Sequence, residues 1–415
     1  MAAVSCLGSA GIHIHTTPAP PGANANRTTM HQPAPRITVL ASFSGAGGVE
    51  RMLVNLLHGL TALGRDVDLL TIRTTSPHLD DLPPTVRRID LGARHSLGAV
   101  GALARHLRAQ RPPVLLAAKD RAGRAAVLAR RLAGVPTPIV MRLGTNLSAA
   151  LAGRHPLARR LRAATVRRSW RHIEHIVAVS AGVASDTAAV AHYPPARISV
   201  IRNPVITPQL SAQAALPCPH PWLTAAAQHT APVILGAGRL ERQKDFPTLL
   251  RAFAQLRATR PCRLVLLGDG AWRARLLAAA EALGVAADLD LPGFQANPYP
   301  FLANARLFVL SSAWEGSPNV LTEAMALGTP VVATDCPSGP REILADGRFG
   351  PLVQVGDAPA MAEAMARVLA DPPPSATLRG AVSRYRADVS AAAYAGVLDA
   401  VAAGRYPPPA PAPGR

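Results

Sequence analysis

Short apolar runs alternate with Ala- and Leu-rich stretches of helical period along most of this chain of 415 residues. The apolar runs of the first half are RITVLAS, DVDLLTI, PVLLAA, PIVMRL, HIVAVS and ISVIRN, and the first is followed by the helical stretch GGVERMLVNLLHGLTALG. Such runs, separated by helices, are typical of the buried strands of a parallel sheet. The pattern therefore predicts an α/β fold whose first domain, residues 35–205, is doubly wound and Rossmann-like.

The alternation stops at residues 206–231, where proline and small polar residues predict a linker between domains. A second series follows, with the apolar runs VILGAGR, RLVLLGDG, LDLPGF, ARLFVLSS and PVVATD. It predicts a second doubly wound, Rossmann-like domain over residues 232–385 and a C-terminal helix over 386–404. Ligands of such sheets bind at the carboxyl ends of the strands, so we expect the active site in the cleft between the two domains.

Neither end of the chain has the pattern of a packed element. Residues 1–34 carry no Lys or Arg before Arg27, and His13 and His15 interrupt their apolar stretch. They lack the charged start of a signal peptide, so we expect a disordered lead. The tail, residues 405–415, is rich in proline and is also expected to be unstructured.

Membrane spans and disulfides are not predicted. No apolar run reaches the roughly 18 to 20 residues that a helix needs to cross a bilayer. The cysteines are scattered, without a CxxC pair or a metal spacing, which favours the reducing cytosol.

The charge is strongly positive, with 44 Lys+Arg against 25 Asp+Glu and a net charge of +19. This excess predicts attraction to nucleic acid, to a phospholipid surface or to a phosphorylated substrate, without choosing among them. Only Lys119 and Lys244 are lysines, and their compact charge suits a phosphate or sugar oxygen. Aromatic residues are 4% of the chain, too few for base stacking, so nucleic acid is not the expected partner. A non-catalytic nucleic-acid-binding protein remains the alternative of another class.

Two carboxylates flank a Ser-Pro step in SSAWEGSPNVLTEAMALGTPVVATD. Glu315 follows a predicted strand, Pro318 suits the first position of the next helix, and Gly328 ends that helix. Glu323 lies less than two turns into the helix, so both carboxylates are expected to face the cleft. They can accept hydrogen bonds from the hydroxyls of a ribose and a hexose. Ordinary roles, as a helix-start charge and a solvated acid, stay equally open.

Cations and glycines mark two further strand ends. Arg239 and Lys244, in GAGRLERQKDFPTLLRAF, stand between a strand and a helix, where cations and helix N–H groups can hold a diphosphate; a plain surface charge is the alternative.

In SGAGGVERML, Glu50 replaces the third glycine of a dinucleotide fingerprint, so a nicotinamide cofactor is not expected. Gly47 and Gly48 predict either a close backbone approach or a plain tight turn.

The segment at residues 154–176 is rich in arginine. Leu157, Leu161 and Trp170 alternate there with a set of cationic residues, Arg159, Arg160, Arg162, Arg167, Arg168 and Arg171. An amphipathic helix with a cationic face can rest on anionic lipid headgroups. A solvated helix packed on the sheet is the alternative.

The chain resembles the family 4 retaining glycosyltransferases, which have the two-domain GT-B fold. The resemblance runs from about Arg36 to the helix near Ala400, and the motifs that carry it are GAGGVERML, GAGRLERQKDFPTLLRAF, LVLLGDG and SSAWEGSPNVLTEAMALGTPVVATDCPSGPREIL. The specific part is the pair of glutamates in EGSPNVLTEAMALGTPVV together with the Arg–Lys stretch. The variants CPHPWL and DCPSGPREIL are most similar to the branch that builds cell-surface polysaccharides and lipid-linked oligosaccharides.

The resemblance implies transfer of a hexose or N-acetylhexosamine from a nucleotide diphosphate sugar, with UDP as the expected nucleotide, and with retention of configuration. The acceptor would be a glycan or a polyprenyl-diphosphate-linked glycan. The implied catalytic residues are Arg239 and Lys244, which would bind the donor diphosphate and stabilise the leaving nucleotide, and Glu315, which would contact the transferred sugar. Glu323 would hold the ribose hydroxyls.

The resemblance also completes the donor site. Gly47 and Gly48 would line it from the opposite domain, and backbone N–H groups would contribute from a run of four residues, Gly316, Ser317, Pro318 and Asn319. No metal and no other cofactor is implied, because arginine and lysine take the charge role of a metal. The implied location is cytoplasmic, with an anionic membrane surface at the inner face of the cytoplasmic membrane as a further partner.

One departure from the family concerns the acceptor side. Many relatives have a His after a middle strand of the first domain, where this chain has Lys119 and Asp120. No general base is therefore assigned. A nucleotide-sugar epimerase and a glucan phosphorylase of the same fold stay as alternatives.

Overall fold

The structure is a computed structural model that describes residues 36–45, 47–153, 155–224, 227 and 231–405. The expected N-terminal lead, residues 1–34, lies outside the described residues, as does the proline-rich tail beyond Arg405.

The N-terminal domain is a parallel sheet covered by helices. Its strands are β1 Ile37–Phe43, β2 Val67–Thr74, β3 Arg87–Asp90, β4 Leu115–Ala117, β5 Ile139–Leu143, β6 His175–Ala178 and β7 Ile198–Val200. Its helices are α1 Gly48–Ala62, α2 Val100–Gln110, α3 Asp120–Ala133, α4 Leu147–Leu151, α5 Pro156–Trp170 and α6 Ala181–Ala191. The strand order is β3-β2-β1-β4-β5-β6-β7, so the chain winds outward from β1 in both directions. The crevice of such a sheet lies at the carboxyl ends of β1 and β4.

Alternate residues of the strands face two apolar cores. Val39 of β1 belongs to the core on one face of the sheet and Leu40 to the core on the other. Both residues are fully buried, as expected where helices cover both faces.

The C-terminal domain repeats this design. Its strands are β8 Val233–Ala237, β9 Arg263–Leu267, β10 Leu289–Gly293, β11 Leu307–Leu310, β12 Val331–Thr334 and β13 Leu352–Val353. Its helices are α7 Leu210–Ala214, α8 Phe246–Thr259, α9 Arg273–Ala282, α10 Tyr299–Asn304, α11 Asn319–Leu327, α12 Pro340–Ile343, α13 Ala358–Ala370 and α14 Ser375–Ala381. All pairings are parallel, in the order β10-β9-β8-β11-β12-β13. The predicted pair of doubly wound sheets is confirmed.

The last helix, α15 Ala387–Ala402, returns to the N-terminal domain and packs on α1. Tyr394 and Leu398 of α15 are fully buried in the core of that domain. The chain thus crosses between the domains twice. The two crossings lie side by side, because the Ile206 N–H donates to the Tyr385 carbonyl and the Ala387 N–H donates to the Ile206 carbonyl over 2.9 Å.

Elements with a weak apolar pattern escaped the sequence analysis. Strand β3, with the sequence RRID, is an edge strand with mostly exposed residues, so it carries no apolar run. Strand β13 has only two residues. Within the stretch predicted as a linker, Leu210 and Leu223 are buried in the core of the C-terminal domain. Among the described helices, none combines the length and the apolar character needed to cross a bilayer.

The packing of α15 on α1 predicts that Gly59→Ala destabilises the protein. A Cβ at Gly59 would lie 2.5 Å from the Cβ of Ala391 and 3.2 Å from the carbonyl oxygen of Ala387, so the helices must separate. We expect the free energy of unfolding in urea to fall by about 1–3 kcal/mol.

The matched control is Gly396→Ala on α15, where a Cβ meets no atom within 4 Å. It is expected to be neutral or to stabilise the protein by about 0.4–1 kcal/mol. Equal effects of the two substitutions would contradict the packing described.

Candidate active site

Loops after two neighbouring strands bring Lys244 and Glu315 together. A short 3-10 turn over Arg242–Lys244 connects β8 to α8, and Glu315 follows β11, which pairs with β8. Lys244 Nζ donates to Glu315 Oε1 over 2.7 Å, and Ser312 Oγ donates to the same oxygen over 2.7 Å. The carboxyl ends of the strands thus place a paired cation and anion where α/β sheets bind ligands.

This ion pair is almost completely buried, since the side chains of Lys244 and Glu315 are 16% and 8% exposed. Taking two charges out of water costs about as much as their attraction returns, so such a pair is weak evidence of a stabilising role. Burial and the negative charge of Glu315 raise the pKa of the neighbouring Cys336 thiol to about 12, so this thiol is neutral. Glu315 is therefore the anion that Lys244 pairs with at this point.

Arg239 lies in the same loop, but the structure does not bring it into this ion pair. Its side chain is 70% exposed, and its Nη2 pairs with Glu241 Oε1 at 2.9 Å. An exposed pair of this kind contributes little free energy, so the Arg239 side chain is free to reorient.

Glu323 is buried near the start of α11, where Arg51 of the N-terminal domain reaches it. Arg51 Nη1 lies 3.9 Å from Glu323 Oε1, and the Tyr299 hydroxyl donates to the same oxygen over 3.5 Å. The Arg51 guanidinium also lies 5.5 Å from the centre of the Tyr299 ring, and its Nη2 donates to the Ala296 carbonyl over 2.7 Å. Burial raises the pKa of Glu323, although Arg51 opposes this, and burial also raises the pKa of Tyr299. The ionised carboxylate is thus costly here and gains from any additional hydrogen-bond donor.

Unpaired N–H groups lie between Glu315 and α11. The helix begins at Asn319 with Pro318 as its N-cap, so the prediction that Pro318 is the first helical residue is wrong by one position; its ψ of 103° is extended. Pro318 has no N–H to offer. Among the described residues, the N–H groups of Gly316 and Ser317 have no acceptor, and that of Asn319 belongs to the first helical turn. Helix N-termini of this kind favour anionic ligands.

Gly316 packs directly against the N-terminal domain. A Cβ at this position would lie 2.1 Å from the carbonyl oxygen of Gly144, so only glycine permits the contact. Beside it, Asn319 Nδ2 donates to the Gly48 carbonyl over 3.0 Å, and Asn203 Nδ2 donates to Asn319 Oδ1 over 2.7 Å. The strand-end loops of both sheets therefore meet at the site.

Glu342 of α12 joins the domains a second time. Its carboxylate accepts hydrogen bonds from the N–H groups of Ala181 and Gly182 at 3.0 and 2.9 Å, and it pairs with Arg202 Nη1 at 2.5 Å. It thus satisfies first-turn N–H groups of α6 and complements the dipole of that helix. The two domains are thus in direct contact at both places.

Gly47 is the N-cap of α1, the helix whose first residue is Gly48. A Cβ at Gly47 would lie 3.1 Å from Glu50 Oε2, and Glu50 Oε1 accepts a hydrogen bond from Lys119 Nζ over 3.0 Å. Glu50, which replaces the third glycine of the fingerprint, therefore holds Lys119 beside the glycine turn.

Asp120 is engaged in structural contacts. Its carboxylate accepts from Trp170 Nε1 over 2.9 Å and from Arg162 Nη2 over 2.5 Å, and it pairs with Arg124 at 3.3 Å. Three side chains therefore occupy the Asp120 carboxylate, and its contacts are explained by packing between α3 and α5.

Trp170, one of the apolar residues that alternate with arginines at residues 154–176, is buried. Trp170 is only 2% exposed, because its ring packs in the core and its N–H is directed at Asp120. Leu157 and Leu161 of α5 are exposed, at 59% and 62%.

Several contacts of the site were not anticipated from the sequence, namely those of Arg51, Tyr299, Asn203 and Glu342. Most of them join residues far apart in the chain, which no local pattern reveals. Arg51 had one usable signal, its place in the first turn of the helix after the glycine loop in GAGGVERML.

Two family models match the chain, one on each sheet. The glycosyl transferase 4-like domain matches residues 47–204, and the glycosyl transferases group 1 domain matches residues 225–385. Together they cover more than half of the chain. The chain belongs to the family 4 glycosyltransferases. The family predicted from the sequence is confirmed.

Curated relatives of this chain are glycosyltransferases by name, one of them of lipopolysaccharide core biosynthesis. The chain is 38% identical over 138 residues to the N-acetylgalactosamine-N,N'-diacetylbacillosaminyl-diphospho-undecaprenol 4-alpha-N-acetylgalactosaminyltransferase of Campylobacter jejuni, covering 33% of this chain and 37% of the relative. It is 41% identical over 141 residues to the lipopolysaccharide core biosynthesis glycosyltransferase LpsE of Rhizobium meliloti, covering 34% and 40%. The chain thus spans less than half the length of these relatives.

Solved structures show the same fold. HepE of Anabaena, in complex with UDP, superposes with a TM-score of 0.69 at 20% identity, covering 88% of this chain and 100% of that one. The sucrose-phosphate synthase of Thermosynechococcus elongatus gives a TM-score of 0.72 at 21% identity, covering 89% and 100%. The GT-B fold is confirmed.

The raised pKa of Glu323 predicts how Glu323→Gln changes stability with pH. The folded protein holds this proton to higher pH than the unfolded chain, so ionisation of the carboxyl destabilises the folded state as the pH rises. The amide carries no charge at any pH. In urea unfolding, the variant should therefore be more stable than the wild type at pH 8.5, and this difference should shrink as the pH falls toward 5.

The exposed Glu281→Gln serves as the control and should show no such trend. A stability difference for Glu323→Gln that stays constant or grows as the pH falls would contradict the burial of an ionisable carboxyl.

Proposed function

We propose that this glycosyltransferase transfers a hexose or N-acetylhexosamine from a UDP-sugar to a glycan or lipid-linked glycan acceptor, with retention of configuration. The observation that carries the proposal is the buried pair of Lys244 and Glu315 at two adjacent strand ends, next to Gly316, which packs against the opposite domain. A lysine held there can neutralise a diphosphate as it leaves, since ammonium and phosphate form strong charge-assisted hydrogen bonds.

The surrounding groups suit the rest of a nucleotide sugar. Glu323 needs further hydrogen-bond donors, which ribose hydroxyls would provide. The unpaired N–H groups of Gly316, Ser317 and Asn319 would bind phosphate and sugar oxygens. Arg239 would swing from Glu241 to the diphosphate, and Gly47 with Gly48 would close the site from the other domain.

Catalysis would rest on positioning and charge. The acceptor hydroxyl would attack from the face that the diphosphate leaves, which retains the configuration, and a phosphate oxygen would take its proton. Glu315 would orient the transferred sugar through the oxygen that Lys244 does not occupy. We propose that no divalent metal is required, because Lys244 and Arg239 supply the positive charge. The closed domains would exclude water from the reacting bond.

Lys244→Ala should lower donor turnover by roughly 10²- to 10³-fold, because it removes the charge that stabilises the departing UDP. Release of UDP from a UDP-sugar measures this rate, and NMR of the product reports its anomeric configuration. The substitution also leaves the Glu315 carboxylate with Ser312 as its remaining hydrogen-bond donor, which can destabilise the fold. The melting temperatures of the variant and the wild type are therefore compared.

The control is Arg367→Ala, an exposed cation of α13 in the same domain, which should turn over like the wild type. A folded Lys244→Ala protein with wild-type turnover, or an inverted product, would refute the assignment.

We also propose that the enzyme works on the cytoplasmic face of the membrane, with α5 resting on anionic lipid. Leu157 and Leu161 are exposed on a helix that carries arginines such as Arg159 and Arg160. Apolar side chains flanked by cations suit the boundary between headgroups and acyl chains.

The double substitution Leu157→Ser and Leu161→Ser should weaken partitioning onto vesicles of 30% anionic lipid by about tenfold or more, measured by co-sedimentation. The matched control is Leu132→Ser with Leu216→Ser, at leucines that are 59% and 54% exposed elsewhere. If both pairs weaken partitioning equally, α5 is not the contact.

A further inference from the structure

A cavity of about 730 Å³ lies in the N-terminal domain at the carboxyl edge of its sheet. Its walls include Ser44 after β1, Arg73 at the end of β2, Lys119 after β4 and Gly144 after β5. Ligands of doubly wound sheets bind at this edge. All of the lining residues belong to the N-terminal domain, and neither Lys244 nor Glu315 is among them.

The walls of this cavity carry several cations against one carboxylate, that of Asp120. Four of the cations already have partners. Lys119 pairs with Glu50 at 3.0 Å, and Arg142 Nη2 donates to Asn203 Oδ1 over 2.9 Å. Arg124 and Arg162 both pair with Asp120, at 3.3 and 2.5 Å. The carboxylate of the cavity is therefore already neutralised by these two arginines.

The other three cations of the walls have no such partner. Within the described part of the chain, the side chains of Arg73, Arg94 and Arg121 make no hydrogen bond and no ion pair. All three are exposed. Unpaired like charges around one concave surface repel each other and produce a positive potential there, which an anion would neutralise.

We propose that Arg73, Arg94 and Arg121 bind a phosphate or diphosphate ester on the acceptor. The planar guanidinium fork matches phosphate oxygens in pairs, so three forks around one cavity suit a group with several such oxygens. Gly144 lines the cavity, and its carbonyl touches Gly316 of the donor side. An acceptor anchored by its phosphate therefore extends its sugar toward the N–H groups of Gly316 and Ser317. The inference rests on the proposed function, because it assigns the cavity to the acceptor.

The test is calorimetric titration of the full chain with inorganic pyrophosphate in the presence of saturating UDP, which occupies the donor site. The triple substitution Arg73→Gln, Arg94→Gln and Arg121→Gln should weaken pyrophosphate binding at least about tenfold. UDP affinity should stay the same, since none of the three residues lies at the donor groups.

The control removes three exposed arginines elsewhere, by Arg88→Gln, Arg105→Gln and Arg367→Gln, and so lowers the net charge equally. It should bind pyrophosphate like the wild type. The proposal is overturned if the wild type does not bind pyrophosphate, or if the cavity variant and the control bind it equally.

A second measurement needs no variant. Phenylglyoxal modifies accessible arginines, and peptide mass mapping locates the modified sites. Pyrophosphate should protect Arg73, Arg94 and Arg121 from modification in the UDP-bound wild type. Protection confined to other arginines would overturn the proposal.

Two sources of the phosphate are distinguished by ligand. Geranyl diphosphate represents a lipid carrier, and glucose 6-phosphate represents a phosphorylated sugar. The ligand that binds the wild type more tightly, and whose binding is lost in the cavity variant, identifies the source of the phosphate. UDP titration on the same samples distinguishes a failure of the cavity inference from a failure of the proposed function. If UDP binds and the phosphates do not, this inference falls alone; if UDP does not bind, the proposed function falls.

Discussion

The contact between Gly316 and the carbonyl of Gly144 is the constraint on which the site depends. With a Cβ 2.1 Å from that oxygen, any other residue would force the two sheets apart. The contact brings the carboxyl edges of both sheets together, and Lys244, Glu315 and Glu323 lie on the loops at one of these edges or near the start of the helix that follows. Glu342 and Asn319 reinforce the same arrangement with hydrogen bonds across the domains. The chain also crosses between the domains twice at one place, near Ile206 and Ala387.

Charge at this edge is costly for stability. Lys244 with Glu315 is a buried pair, and Glu323 is a buried carboxyl whose ionised form is disfavoured. Apolar residues of similar volume would be as stable or more stable at such positions. Proteins keep costly groups of this kind where function requires them. The opposite domain contributes a complementary wall, in which unpaired arginines surround a cavity that holds one carboxylate.

Much of the fold could be predicted from the sequence, because buried parallel strands are continuous apolar runs. Val39 and Leu40 face different cores, so neither position tolerates a polar residue, and the run is visible. Strand β3 lies at an edge and is mostly exposed, so no such pattern exists to be detected. The placement of Lys244 and Glu315 at strand ends followed from the motif spacing. Their direct contact did not, because side-chain pairing depends on which strands are neighbours.

Contacts across the domains were beyond the sequence for the same reason. Arg51 and Glu323 belong to different domains and meet only where the two sheets pack together. The sequence around either residue gives no sign of this contact. A helix of low amphipathicity with many arginines does not reveal which of its apolar residues are buried, and in α5 one of these is Trp170. Its indole N–H needed a partner, and Asp120 provides one from the neighbouring helix.

The most direct test of the central claim is a thermal-shift comparison of UDP, GDP, ADP and NAD, each with and without EDTA, on the wild-type protein. The account predicts a UDP-selective stabilisation that the chelator does not change, about 2.7 kcal/mol at a ligand concentration of 100 times the dissociation constant. No shift with any nucleotide would contradict the donor site built around Lys244, Glu315 and Glu323, even though the fold would stand.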